Sequence, residues 1–199
     1  MAETRTMSRR TLLKGASVVP LAAGTALVSA EAGAQSEESR RRVLVAFFSR
    51  SGNTALVARK IAMAREGGLF EIRPAEAYAE NYEQTVAQAE REREAGYEPP
   101  LAGTVPDIAD YATVFLGFPI WGMTAPPVIR SFLSRHDLSG RTIVPFITHG
   151  GYGVGSSLDV VASHAPDARL VDGFSMEGEQ ERRVVDRVED WLGDLQPSE

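Results

Sequence analysis

A short apolar run that ends in a hydroxyl-rich turn constrains this chain more than any other feature. Residues 42–48 are rich in Val and Phe, and a run this short and apolar predicts a strand buried on both faces of a parallel sheet. Residues 55–64 are good helix formers, with Val57, Ile61 and Ala64 on one stripe. The turn therefore meets a helix N-terminus, where N–H groups lack partners and the dipole is positive.

The turn itself has the composition of an anion-binding loop. It consists of Ser49, Arg50, Ser51, Gly52, Asn53 and Thr54. Its hydroxyls can bond phosphate oxygens, and its glycine lets the backbone approach a ligand closely. It has neither the spacing of a nucleoside triphosphate loop nor Gly-x-Gly-x-x-Gly. Two interpretations stay open: a site for a terminal phosphate, or an ordinary turn with helix-capping hydroxyls.

The rest of the chain alternates strand and helix patterns. Further strands are predicted at residues 69–73, 113–118, 142–148 and 168–174, and further helices at 81–95, 126–135, after Ser156 and at 178–195. This alternation predicts an α/β fold with a doubly wound, five-stranded parallel sheet in the order 2-1-3-4-5. A ligand crevice is then expected at the carboxyl ends of the strands.

Three loops are expected to converge at that edge of the sheet. The loop after the third strand contains Trp121, a wide π surface, and the loop after the fourth contains four glycines and Tyr152. With the hydroxyls of the first turn, this set suits a flat aromatic heterocycle with a phosphate tail. Alternatively, Trp121 covers apolar surface, the glycine loop is only flexible and Tyr152 faces solvent. His149 is either a proton donor or incidental, and His136 and His164 are predicted at the surface.

The chain from residue 42 to about 178 resembles the short-chain flavodoxin-like family. The family's phosphate-loop pattern falls on Ser49, Ser51, Gly52 and Thr54, and residues 118–122 and 143–153 look like its two flavin loops. In a branch of the family a second aromatic often follows the position of Trp121, which here is Gly122. The resemblance implies non-covalent FMN and electron transfer. It also implies that the cofactor-binding residues are those of the turn 49–54 together with Pro119, Ile120, Trp121, Gly122, Thr148, His149, Gly150, Gly151, Tyr152 and Gly153.

The N-terminus is predicted to be an export signal. Arg9 and Arg10 precede Leu-Leu-Lys, a weakly apolar stretch follows, and residues 32–34 form a small-x-small cleavage pattern, so residues 1–34 look like a twin-arginine signal peptide. The alternative is a chance basic N-terminus or an uncleaved anchor. Residues 35–41 are then a linker, and 42–199 form an FMN-binding domain outside the cytoplasm with no integral membrane segment.

Composition narrows the function further. The chain contains no Cys, which excludes thiolate metal sites and thiol catalysis. Loss of residues 1–34 removes four basic and two acidic residues, so the net charge falls from −6 to −8; nucleic acid is a poor partner for such a surface. We expect an electron carrier that meets a redox protein or the membrane quinone pool. An FMN-dependent quinone or NAD(P)H oxidoreductase is the alternative, and a non-redox binding module on this fold is the weaker one.

Overall fold

The computed structural model describes residues 42–177 and 181–195. Strands β1 to β6 are Val43–Phe47, Gly68–Glu71, Thr113–Pro119, Thr142–His149, Arg169–Leu170 and Phe174–Glu177. Helices α1 to α5 are Asn53–Ala64, Tyr82–Glu94, Pro127–Arg135, Ser157–His164 and Glu181–Asp194, and a short 3-10 turn covers Ile108–Asp110. The predicted signal peptide and linker lie outside the described residues.

The strands pair in parallel in the order β2-β1-β3-β4-β5, which confirms the predicted sheet. Each face of the sheet is covered by helices. On one face Val57 of α1 and Val188 of α5 join the core beneath β1, and on the other Phe132 of α3 and Val161 of α4 do so. The central strands are thus apolar on both faces because both faces are buried. Within the described residues no helix is long and apolar enough to span a membrane.

The fifth position of the sheet is occupied by two short strands, whereas the sequence predicted one strand over residues 168–174. β5 pairs with Thr142 and Ile143, and β6 pairs with the end of β4, from Phe146 onward. The break lies beside Pro145, which has no N–H to donate to a neighbouring strand. Gly173 lies against this proline, since a Cβ there would overlap the Pro145 carbonyl oxygen. The proline therefore interrupts the ladder, and glycine accommodates the interruption.

His136 is buried, although its sequence environment predicted a surface residue. Its Nε2 accepts a hydrogen bond from the Val105 N–H at 2.9 Å, and its Nδ1 lies 2.8 Å from the Phe132 carbonyl oxygen. An imidazole that accepts at one nitrogen and donates at the other is neutral. Burial lowers the pKa of His136, against a smaller opposite effect of the Phe132 carbonyl. The ring therefore ties the 96–106 loop to the end of α3 in its uncharged form.

This histidine makes stability depend on pH. The unfolded chain binds a proton at His136 below about pH 6.5, whereas the folded chain resists that proton, so the stabilisation is full above pH 6.5 and declines as pH falls. We expect urea unfolding of the wild type to show this decline between pH 7 and pH 5. His136→Gln, which keeps an acceptor for Val105, should unfold more easily at pH 7 and show a shallower decline. Parallel pH curves for the two proteins would contradict this role.

Candidate functional site

The turn after β1 is organised by Ser49 and Gly52. The Ser49 hydroxyl accepts hydrogen bonds from the N–H groups of Gly52 and Ala55, each at 3.2 Å. Gly52 has a φ of 92°, a left-handed conformation that favours glycine, and a Cβ there would meet open space. Because Ser49 already caps the helix, the groups left to face a ligand are the exposed Ser51 hydroxyl and the N–H groups of Asn53 and Thr54, which have no helical partner.

Thr54 and Thr148 join the first turn to the end of β4. Their hydroxyl oxygens are 2.8 Å apart, and the two residues are only 1% and 5% exposed. The sequence placed both residues in the site but not in contact. The hydroxyl of Thr54 is therefore engaged inside the protein.

The loop after β3 begins at Pro119, the last residue of that strand, which lies opposite Thr148 of β4. The N–H of Ile120 donates to the Thr148 carbonyl oxygen at 2.8 Å. A tight turn follows over residues 121–124, closed by two backbone hydrogen bonds between Trp121 and Thr124. Its central residues, Gly122 and Met123, both have positive φ, as a type I′ turn requires.

Trp121 is half-buried and rests on two aromatic side chains that the sequence did not associate with the site. Its indole meets the ring of Phe48 edge-on at 5.2 Å and that of Tyr78 at 4.9 Å between centroids. The Tyr78 hydroxyl donates to the buried Glu92 carboxylate at 2.9 Å. Burial, with help from this hydrogen bond, raises the pKa of Tyr78 above its usual range. The tyrosine is thus a neutral support that fixes the indole, so covering apolar surface is part of the role of Trp121.

Arg93 of α2 occupies the space beside Gly122. A Cβ on Gly122 would overlap a guanidinium nitrogen of Arg93. In a branch of the family that the chain resembles, an aromatic often stands at this position. In this chain the side chain of Arg93, from another element, lies there beside Gly122. Nothing in the local sequence around residue 122 indicates this contact, because α2 precedes the turn by nearly thirty residues.

The loop after β4 is bound to the 121–124 turn by its backbone. The Ser156 N–H donates to the Met123 carbonyl oxygen at 3.0 Å, and the Ser156 hydroxyl donates to the Thr124 hydroxyl at 3.1 Å. Gly155 passes so close that a Cβ would overlap the Met123 carbonyl oxygen. The Ser156 hydroxyl makes no side-chain cap for α4, because it is used between the loops.

The tip of the same loop is open. Tyr152 is 82% exposed, and a Cβ on Gly150 or Gly153 would meet nothing within 4 Å. His149 is half-buried, and its Nδ1 accepts a hydrogen bond from the Gly151 N–H at 3.2 Å. His149 therefore shapes the loop, and the backbone of the glycines is accessible to a flat ligand. Among the described residues, no cluster of His, Asp or Glu could hold a metal ion.

A cleft of about 270 Å³ lies between α2 and the 121–124 turn. One wall is formed by Arg50, Ile120, Trp121 and Gly122. The other is formed by residues of α2, namely Tyr82, Thr85, Val86, Ala89, Glu90 and Arg93. Tyr82, Val86 and Ala89 lie on one stripe of α2, but only Ala89 is buried, and the other two are exposed at the cleft. In the sequence, the only indication of this wall was the apolar stripe of α2, because nothing there shows which part of the stripe stays exposed.

The Thr54–Thr148 bond can be tested directly. We expect Thr54→Val to lower the free energy of unfolding by roughly 1–3 kcal/mol, because it leaves the Thr148 hydroxyl buried without its partner. Thr54→Ser keeps the hydroxyl and is the control. The double variant Thr54→Val/Thr148→Val removes both partners and should recover most of the loss in urea unfolding. Equal and additive losses from the two single variants would contradict the pairing.

Comparison with known proteins agrees with this architecture. A protein from Bacteroides eggerthii DSM 20697, provisionally described as a flavoprotein, shares 31% identity with a TM-score of 0.68, over 79% of this chain and 99% of that one. A similarly described protein from Bacteroides uniformis ATCC 8492 shares 28% identity with a TM-score of 0.66, over 74% and 97%. A flavoprotein from Lactobacillus acidophilus NCFM, solved in complex with FMN, shares the fold at 18% identity with a TM-score of 0.62, over 74% and 98%.

No curated protein matches the chain significantly. The family profile described as Flavodoxin matches residues 42–195, which includes β1 to β6 and helices α1 to α5. The chain therefore belongs to the flavodoxin family.

Proposed function

We propose that this chain binds FMN non-covalently and carries electrons to a redox partner. The observation that carries the proposal is the convergence of three ligand-facing loops at one edge of the sheet, joined by the Thr54–Thr148 and Ser156–Met123 hydrogen bonds. Family membership supports it, and the flavoprotein from Lactobacillus acidophilus in complex with FMN is an example of the ligand that this fold can accept.

The first turn suits the phosphate of FMN. The N–H groups of Asn53 and Thr54 lie at the positive end of α1, which has no acidic residue in its first turn. The Ser51 hydroxyl is exposed beside them. Gly52 supplies the left-handed backbone and open space that such a cradle needs. Ser49 holds the turn in shape, so in this proposal it acts through the backbone.

The other two loops suit the ring system. Trp121 offers an indole held in place from behind by Phe48 and Tyr78, while Tyr152 and the glycine backbone lie in the opposite loop. Bound FMN supplies one- or two-electron redox chemistry. The surrounding protein sets how readily it does so. Its net charge, −6 for the full sequence and −8 without residues 1–34, disfavours added negative charge on the flavin, which lowers the reduction potential. A carrier is favoured over a quinone reductase because an aromatic lies in each of the two ring-facing loops.

Binding of FMN and riboflavin by the flavin-free full chain tests the proposal. We expect one FMN per chain with quenched flavin fluorescence, and much weaker binding of riboflavin, which lacks the phosphate. Ser51→Ala should weaken FMN binding by roughly 1.5–3 kcal/mol, as for a hydrogen bond to a charged group, and leave riboflavin binding unchanged. Ser139→Ala, in an exposed turn, is the control. Equal affinities for FMN and riboflavin would exclude the turn from the site, and no binding of either would overturn the proposal.

Rapid mixing of the FMN-loaded protein with two kinds of electron acceptor distinguishes an electron carrier from a quinone reductase. After photoreduction, rapid mixing with a one-electron protein acceptor should give fast oxidation. Mixing with a small quinone should give slow oxidation that rises linearly with quinone concentration. Fast, saturating oxidation by the quinone would replace the carrier with an FMN-dependent quinone reductase.

We further propose that the domain acts outside the cytoplasm, exported by the twin-arginine pathway. The paired Arg9 and Arg10 before a weakly apolar stretch support this. In a bacterium with that pathway, Arg9→Lys/Arg10→Lys should leave the protein in the cytoplasmic fraction, while the control Arg5→Lys is exported like the wild type. Periplasmic recovery of the double variant at the wild-type level would argue against this route.

A further inference from the structure

We propose that Tyr78 and Glu92 form a proton-coupled electron donor, which returns an electron to Trp121 after one-electron oxidation of its indole. Neither Tyr78 nor Glu92 has a part in the proposed binding of FMN, and the inference does not depend on that binding. The role of the pair is to protect the indole from irreversible oxidation.

Trp121 is partly exposed and lies against two aromatic rings, so an oxidant in solution can reach its indole. The ring centroids of Trp121 and Tyr78 are 4.9 Å apart, with an angle of 83° between the ring planes. Aromatic rings at such a separation are in direct contact. Phe48 lies at a similar distance of 5.2 Å, but a phenyl ring is much harder to oxidise than an indole. Of these two neighbours, Tyr78 is therefore the one that can donate an electron to an oxidised Trp121.

A tyrosine gives up an electron readily only when its phenol proton can leave at the same time. The Tyr78 hydroxyl donates to one Glu92 carboxylate oxygen at 2.9 Å, within the range of roughly 2.6–3.2 Å that proton transfer requires. Gln88 Nε2 donates to the other carboxylate oxygen at 2.8 Å, which fixes the orientation of the carboxylate. Glu92 is only 8% exposed. The phenol proton is thus directed to a buried carboxylate at hydrogen-bond distance.

The proton stays on Tyr78 until the ring loses an electron. Burial raises the pKa of Tyr78, and the hydrogen bond to Glu92 and the charge of its carboxylate raise it further. In the resting protein the tyrosine is therefore neutral and the carboxylate accepts its hydrogen bond. Removal of an electron from the ring makes the phenol a strong acid, which reverses this preference. The same hydrogen bond then carries the proton from Tyr78 to Glu92.

The transfer has two steps. Trp121 first loses one electron to an oxidising radical, such as the azide radical, which becomes its anion. The Tyr78 ring then gives one electron to the oxidised indole, while the Tyr78 O–H bond breaks and the proton bonds to a carboxylate oxygen of Glu92. The indole is restored, and a neutral tyrosyl radical and a neutral carboxylic acid remain. In total, one electron passes from Tyr78 through Trp121 to the oxidant, and one proton passes from Tyr78 to Glu92.

Pulse radiolysis of the flavin-free full chain with azide radicals tests the electron transfer. At low dose we expect the visible absorption of the indolyl radical to convert into that of a tyrosyl radical, in a phase whose rate is independent of protein concentration. Tyr78→Phe and Trp121→Phe should each remove this phase. The matched control is Tyr111→Phe, a half-buried tyrosine that precedes β3, whereas Trp121 follows that strand. Persistence of the phase in Tyr78→Phe, or a wild-type rate that rises with protein concentration, would overturn the proposal.

Two further measurements test Glu92 as the proton acceptor. Glu92→Gln keeps a hydrogen-bond acceptor but removes the base, so it should slow the conversion by about a hundredfold, the lower end of what a positioned proton-transfer group contributes. Repeating the wild-type measurement in D₂O requires no substitution and should also slow the phase, because the proton moves with the electron. An unchanged rate in D₂O, or a wild-type rate in Glu92→Gln, would overturn the role of Glu92.

Discussion

The buried hydrogen bond between Thr54 and Thr148 fixes the geometry on which the candidate site depends. It links the first turn of α1 to the end of β4, across the end of β3. A buried hydroxyl without a partner is costly, so this pair favours one relative position of the two loops over its alternatives. The sheet brings the loops to one edge, and this interaction sets their distance.

The second and third loops are held in the same way, by contacts between backbone groups. Gly155 lies in close contact with the Met123 carbonyl, and the Ser156 N–H donates a hydrogen bond to it. The turn that carries this carbonyl has positive φ at Gly122 and Met123. Loops are usually the least ordered parts of a fold. Here hydrogen bonds within the protein hold the loops to one another, which lowers the entropy that ligand binding would otherwise lose. The tip that carries Tyr152 stays open.

The sequence predicted those features that are local. Apolar runs, their spacing and the turns between them were sufficient for the alternation of strands and helices, and the order 2-1-3-4-5 that suits five such strands is confirmed. Features that require knowledge of distant neighbours could not be predicted. Pro145 interrupts the sheet at the point where β5 and β6 lie beside it, His136 accepts a hydrogen bond from the distant Val105 N–H, and the Arg93 guanidinium lies beside Gly122. The roles of individual site residues in binding a cofactor remain predictions.

The contact between Gly122 and Arg93 has a consequence for how this edge of the sheet can diversify. A Cβ at residue 122 would overlap the guanidinium of Arg93, so a side chain there requires this flexible arginine to move away. A chain of this fold with an aromatic after the tryptophan therefore needs a short or outward-turned residue on the facing helix. The missing Cβ at residue 122 is what lets the guanidinium of Arg93 present its positive charge at this edge.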